Sequence, residues 1–397
     1  MNPLLAKLHP YPFERLRALT AAAPPNPKYA PISLSIGEPK HPTPQFVRAA
    51  LAEALDGLAV YPLTAGLPEL RETIAAWLCR RYSLGSVDPA TQVLPINGSR
   101  EGLFSFAQAV LDPQSRGALV ACPNPFYQIY EGAALLSGAE PVFLNATAAN
   151  GFGFDPDSLA DSVWARVKLL YVCSPANPTG RVLELADWQR LFALQDRFGF
   201  VIASDECYSE LYYDESRPPI GALEAAWQSG RREFPRLAVF SSLSKRSNAP
   251  GMRSGFVAGD AALLKTFLLY RTYHGSAMSV SVQKASIAAW SDEAHVRANR
   301  SAYAEKYRAV LPLVKPPLET AMPDGGFYLW LRTPANDQEF ARRLHADYNV
   351  LVLPGSFLAR EAQGENPGRG YVRVALVAPL AECVEAFSRI RTFASGL

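Results

Sequence analysis

Cysteine is scarce and scattered. Five cysteines in 397 residues (Cys79, Cys122, Cys173, Cys207 and Cys383) form no C-x-x-C pair. An odd, dispersed set suggests neither a disulfide framework nor a cysteine zinc site. The five histidines make no H-E-x-x-H, so no metal site is expected. Charge of one sign is missing too: 39 Lys and Arg against 37 Asp and Glu leave +2. So even a balance offers no reason to expect nucleic acid or a membrane surface as partner. The first twenty residues carry Lys7, Glu14, Arg15 and Arg17 and no continuous apolar block. Neither a signal peptide nor a membrane span is expected, and the expected location is cytoplasmic.

What the chain does have is apolar material, 49% of its residues, enough for two or three domains of ordinary size. The first 45 residues are rich in proline and read as an irregular arm with one short helix near Glu14–Ala22. Helical spacing follows over Gln45–Leu55 and Leu67–Tyr82. Short apolar runs then alternate with helical stretches. The runs are Gln92–Ile96, Ala118–Ala121, Glu140–Leu144, Val167–Cys173, Phe198–Ala203, Leu237–Ser241 and Arg253–Ala258. The helices fall at Arg100–Leu111, Tyr127–Ser137, Ser158–Ala165, Leu183–Arg197 and Ala261–Thr266. This alternation predicts an α/β fold with a largely parallel sheet covered on both faces. A helical pattern over Val280–Leu311, broken near Trp290–Glu293, leads to a second, smaller α/β layer. Its parts are Gly326–Leu331, Gln338–Ala346, Val350–Leu353, Tyr371–Leu376 and Ala381–Ala394. The expected division is an arm and part of the small domain at 1–44, a large domain at 45–285 and a small one at 286–397.

Ligands of open α/β sheets sit beyond the carboxyl ends of parallel strands. Four such ends carry chemistry here: Asn97-Gly98-Ser99-Arg100, Ser174-Pro-Ala-Asn177-Pro-Thr-Gly180, Asp205-Glu-Cys-Tyr208 and Ser242-Leu-Ser-Lys245. Each alone reads equally as a turn, a cap or a solvated loop. Right-handed crossovers would bring them together along one edge. Pyridoxal phosphate demands this set. It needs a lysine for a Schiff base and an acid to keep the pyridine nitrogen protonated. Lys245 and Asp205 fill those roles. Asn177 and Tyr208 would reach the phenolic oxygen, and Tyr127 would stack on the ring. The amides of Ser99 and Arg100, the hydroxyl of Ser242 and the guanidinium of Arg253 would hold the phosphate.

The stretch Ser242-Leu-Ser-Lys245-Arg-Ser-Asn-Ala-Pro-Gly-Met-Arg253-Ser-Gly255 is similar to the lysine signature of class I/II pyridoxal-phosphate aminotransferases. Other features follow in that family's order: Gly37-Glu-Pro39, Tyr61, Gly66, Leu70-Arg71, Gly98-Ser99, Tyr127, Asn177-Pro-Thr-Gly180, Asp205 with Tyr208, and Arg373. Ser254 departs from the signature, where an aliphatic residue is usual. The resemblance implies the aspartate-aminotransferase fold, with a seven-stranded sheet in a large domain and a small domain built from both chain ends. It implies a homodimer with shared active sites, in which Tyr61 reaches the partner's cofactor phosphate. It further implies that Lys245 moves the substrate proton and that Arg373, helped by the amide of Gly37, clamps the substrate carboxylate.

Ser35–Pro44 and Ser242–Asp260 resemble the N-succinyldiaminopimelate aminotransferases of bacterial lysine biosynthesis, which implies glutamate and 2-oxoglutarate as the amino-group pair. Lys40 and Arg246 stand where most relatives carry an acid and a small residue. They are the candidates for binding a distal carboxylate. Competing readings are an aspartate, aromatic or alanine aminotransferase, or a C–S lyase on the same cofactor. A DNA-binding regulator is not expected, since the motifs begin by about residue 33. A dinucleotide fingerprint fails, because Gly151-Phe-Gly153 is followed by Pro156 where a third glycine is needed.

Overall fold

The computed structural model describes residues 1–21 and 23–397. Twelve strands are defined among them. β1 is Ile32–Ser33, β2 Val93–Ile96, β3 Leu119–Asn124, β4 Glu140–Asn145, β5 Val167–Cys173 and β6 Val201–Asp205. β7 is Leu237–Ser242, β8 Gly255–Gly259, β9 Tyr328–Arg332, β10 Val350–Leu351, β11 Leu353–Pro354 and β12 Tyr371–Ala375. β2 to β8 form one seven-stranded sheet in the order β2-β8-β7-β6-β5-β3-β4. Only β8 runs against its neighbours, pairing antiparallel with both β2 and β7.

The central strands are apolar on both faces because helices cover both. In β5 all but Lys168 and Cys173 are buried. One core lies under the helices Pro68–Tyr82, Leu185–Phe198 and Val280–Ser291, and includes Trp77, Trp188 and Trp290. The other lies under Ser99–Val110, Ile129–Leu136 and Ala261–His274, and includes Phe106, Tyr130 and Phe267. A third core is assembled from both ends of the sequence: Ile32 and Leu34 pack with Leu329, Phe340, Val372 and Phe387. There β1 pairs in parallel with β10, and β9, β12 and β11 form a three-stranded antiparallel sheet. No described helix is long and apolar enough to cross a membrane.

Several boundaries differ from the sequence reading. The helix expected near Glu14–Ala22 runs Pro12–Ala21, and Ala22 lies outside the described residues. The arm also contains β1, too short for any alternation to mark. The helix expected to stop at Thr266 continues to His274, capped at its start by Asp260 and closed by Gly275. Val350–Leu353 is two strands rather than one, serving two different sheets. The long helical pattern does break, at Asp292–Glu293.

Candidate active site

β2, β5, β6 and β7 are mutually parallel, so their carboxyl ends share one edge of the sheet. Antiparallel β8 brings its amino end to the same edge, and Arg253 stands just before it. A cavity of about 450 Å³ opens there. It is lined by Ser99, Arg100, Tyr127, Asn177, Asp205, Tyr208, Lys245 and Arg253 from the large sheet, and by Gly37 and Arg373 from the small sheets. Sequence positions from 37 to 373 thus meet in one crevice.

Lys245 lies on the single turn Leu243–Arg246 that follows β7, and its Nζ donates to the carbonyl of Gly37 at 2.5 Å. Burial lowers its pKa to about 8; Arg373 and Arg100 push the same way, while Cys207 and Glu38 oppose. Asp205 ends β6, is buried, and accepts from the Tyr130 hydroxyl at 2.7 Å and the Cys207 amide at 3.3 Å. Burial raises its pKa above the usual carboxylate value, and a cation placed against it would pull that pKa back down.

Beside these, Gly98 precedes the helix Ser99–Val110 at φ 83°, and no side chain caps the first-turn amides. A Cβ on Gly98 would lie 2.3 Å from Nη2 of Arg253. Glycine is therefore required twice, by the backbone angle and by the guanidinium laid across it. Open amides at a helix start, with an arginine alongside, make an anion cradle. The helix is held through its first turn by Glu101, which takes two bonds from buried Arg271 at 2.6 and 2.8 Å. These parts suit a phosphate ester joined to an aldehyde-bearing ring.

Arg373, on β12, is buried; it donates to Asn177 Oδ1 at 3.0 Å and to the Ser35 carbonyl at 2.8 Å. Its guanidinium sits 4.5 Å over the Tyr328 ring, and its Nε has no partner. Tyr208 and Tyr328 share a hydrogen bond of 2.9 Å between their hydroxyls. Tyr127 accepts from Arg100 Nε at 2.6 Å.

Other expected residues sit differently. Ser242 does not line the cavity: its hydroxyl donates to the Ser254 carbonyl at 2.9 Å and accepts from the Ser244 amide, and Ser244 is the serine at the wall. Gly37 is glycine because a Cβ there would meet the Tyr328 hydroxyl at 1.8 Å. Ser254, the departure from the lysine signature, pairs its hydroxyl with that of Ser286 at 2.7 Å. Tyr61 is fully exposed and lies outside the crevice.

The candidates for a distal carboxylate are corrected. Arg246 follows Lys245 by one position, about 100° around the helical turn, and so faces away from the cavity. It is buried between Trp77 and Trp290, donating to the Ala289 carbonyl at 2.7 Å and to the Glu293 carboxylate. Lys40 is exposed and is not part of the cavity wall.

Sequence reasoning missed Tyr130, Cys207 and Tyr328. Tyr130 follows Tyr127 by three positions, and Cys207 lies between Asp205 and Tyr208, but nothing in their types marks them off from core residues. Among the described residues no three His, Cys, Asp or Glu gather as a metal site.

Comparison with known proteins agrees with this geometry. An aminotransferase from Neisseria meningitidis superposes with a TM-score of 0.96 at 53% identity, over 99% of this chain and 100% of the other. A probable N-succinyldiaminopimelate aminotransferase from Thermus thermophilus gives 0.83 at 28%, over 96% and 100%. An LL-diaminopimelate aminotransferase from Nitratidesulfovibrio vulgaris is 33% identical over 395 residues, 97% of each chain. The family described as aminotransferase class I and II matches residues 30–390. With that match spanning most of its length, the chain belongs to the class I and II aminotransferases, has their aspartate-aminotransferase-like fold and depends on pyridoxal phosphate.

Proposed function

We propose that this transaminase moves an amino group from glutamate to N-succinyl-2-amino-6-oxopimelate, the reaction that yields N-succinyl-LL-2,6-diaminopimelate. The observation that carries the reading is Arg373, a buried guanidinium on the wall that also holds Lys245. Its fork suits the α-carboxylate common to every substrate in the scheme. The diaminopimelate skeleton is supported by the names of the Thermus and Nitratidesulfovibrio relatives. The succinyl group is supported by the Thermus name and by the wording of residues 35–44 and 242–260. The second reading, unsuccinylated LL-diaminopimelate, is favoured by the Nitratidesulfovibrio relative.

Lys245 would carry the cofactor, Asp205 face its ring nitrogen, Asn177 and Tyr208 its phenolic oxygen, and Tyr127 its ring. The amides of Ser99 and Arg100, with Arg253 and the Ser242–Ser244 turn, would take its phosphate. When bound, the cofactor supplies an electron sink for the pair left at the substrate α-carbon. Nζ of Lys245 takes the α-proton and holds it for return, which requires a neutral amine. Burial favours that form. Asn177 positions Arg373 for the carboxylate. Tyr61, exposed in the single chain, is assigned to the partner's phosphate in a homodimer.

With glutamate as donor, the purified holoenzyme is expected to turn over N-succinyl-2-amino-6-oxopimelate. Turnover only of the unsuccinylated diaminopimelate pair would favour the second reading, and turnover of oxaloacetate alone would sink both. Arg373→Lys loses the bidentate clamp, about 1.5–3 kcal/mol, so KM for donor and acceptor should rise roughly ten- to a hundredfold. Unchanged KM values in steady-state kinetics would remove Arg373 from the role.

A further inference from the structure

Lys306, in the helix Ala294–Val310, is a buried cation without a counter-ion. Among the described residues no carboxylate lies within ion-pair distance of it. Its contacts are Nε2 of His41 at 2.7 Å, the Val377 carbonyl at 3.5 Å and the Tyr303 ring at 4.8 Å. Such a group is costly to bury and calls for a reason.

An ammonium can only donate, so Nε2 of His41 accepts and the ring proton sits on Nδ1. Nδ1 then donates to Oδ1 of Asn299 at 2.9 Å, an oxygen that also accepts from Asn248 Nδ2 at 3.0 Å. With its oxygen so occupied, Asn299 turns its NH2 toward Lys245 and donates to that residue's main-chain carbonyl at 3.1 Å. Each group fixes the orientation of the next, and every bond runs from the ammonium toward the lysine backbone.

The same chain governs the other partner of the amine. Nζ of Lys245 bonds to the Gly37 carbonyl, and the loop from Gly37 continues to His41 and Thr43. Thr43 in turn donates to the Asn248 carbonyl at 2.6 Å. The loop after β1 and the loop after Lys245 are thereby pinned to each other through Asn299.

We propose that Lys306, His41 and Asn299 are positioning residues that act as one relay, fixing the backbone of Lys245 and keeping its amine in the desolvated site. The inference rests on Lys245 being the reacting amine. It adds three residues, none lining the cavity, that set that amine's behaviour. Charged and titratable groups facing the amine are Asp205 at the end of β6, Cys207 after it, Glu38 after β1, Arg373 on β12 and Arg100 on the helix Ser99–Val110. Facing His41 are Lys306 and Tyr303 from one helix. Facing Lys306 besides His41 and Tyr303 are Lys40 and Cys383.

The test is competitive acetylation of the apoenzyme by acetic anhydride across pH, read on the Lys245 peptide by mass spectrometry. The wild-type midpoint is expected near 8. His41→Phe keeps the ring but has neither donor nor acceptor, and Asn299→Leu keeps the shape. Each should raise the midpoint by about one pH unit as the amine gains water. His41→Gln retains an acceptor and a donor and should stay within about 0.3 of wild type. The double variant should move no further than the larger single one, because both break the same chain. A wild-type midpoint in His41→Phe, or fully additive shifts, would overturn the relay. Should Asn299→Leu not fold, Lys306→Met takes its place with the same expectation. A wrong assignment of Lys245 itself gives a different result: borohydride would leave the cofactor unattached to that peptide in the wild-type holoenzyme.

Discussion

Lys245 sets the terms at the scale of single residues. Burial holds its pKa at about 8, below the ordinary 10.5. Between those values the unfolded chain binds a proton that the folded chain does not, so stability rises with pH through that window. Below about 8 both states are charged and the burial penalty is felt in full. Lys245→Met in the apoenzyme should therefore add about 2–3 kcal/mol at pH 7, a gain that fades as pH approaches 11. Urea unfolding at the two pH values checks this, and an equal gain at both would contradict it. Lys245 and Asp205 were legible in the sequence because few chemistries ask for those types after successive strands. Arg246 and Arg373 look alike as letters. Only the side of a helical turn and a strand register send one into tryptophans and the other into the cavity. Tyr130 and Tyr328 were not legible, since a buried tyrosine serves a core as readily as a site.

The elements explain why the phosphate cradle is rigid. The helix Ser99–Val110 is fixed through its first turn by the Glu101–Arg271 pair, while Gly98, just before it, leaves room for Arg253. Gly98→Ala would place a methyl against the guanidinium and force a left-handed angle on a residue that resists it. Cofactor affinity should fall at least about tenfold, roughly 1.4 kcal/mol or more, with the far-ultraviolet circular dichroism unchanged. A titration of the apoenzyme with pyridoxal phosphate measures it, and wild-type affinity would show that the cradle lies elsewhere. The strands of the large sheet were readable because burial on both faces leaves an apolar run between turns. The helix Ala222–Gln228 and the separation of β10 from β11 were not. A seven-residue helix has too few turns to show a period, and a strand that changes sheets keeps the same apolar letters throughout.

At the scale of the whole molecule, the segment 58–63 offers an exposed apolar surface. Leu58, Val60, Tyr61 and Leu63 stand together with relative exposures of 68, 59, 101 and 74%. So much apolar area in six residues is what an interface offers before it is covered. Sedimentation equilibrium is expected to find twice the mass of one chain. Tyr61→Phe should leave that mass unchanged while weakening cofactor binding about tenfold, the loss of one hydrogen bond to an anion. A monomer, or a dimer indifferent to Tyr61→Phe, would refute the shared site. The alternation of elements made the α/β class legible, whereas the exposure of residues 58–63 depends on what the rest of the chain leaves uncovered.

Arg373 donates to the main-chain carbonyl of Ser35, 338 positions away. A ribosome releasing this chain therefore finishes the phosphate cradle well before the carboxylate clamp. Once Arg271 has been made every residue named in the cradle's support exists, whereas the clamp still waits for residue 373. Loss of the last segment would therefore remove the clamp while leaving those residues in the chain.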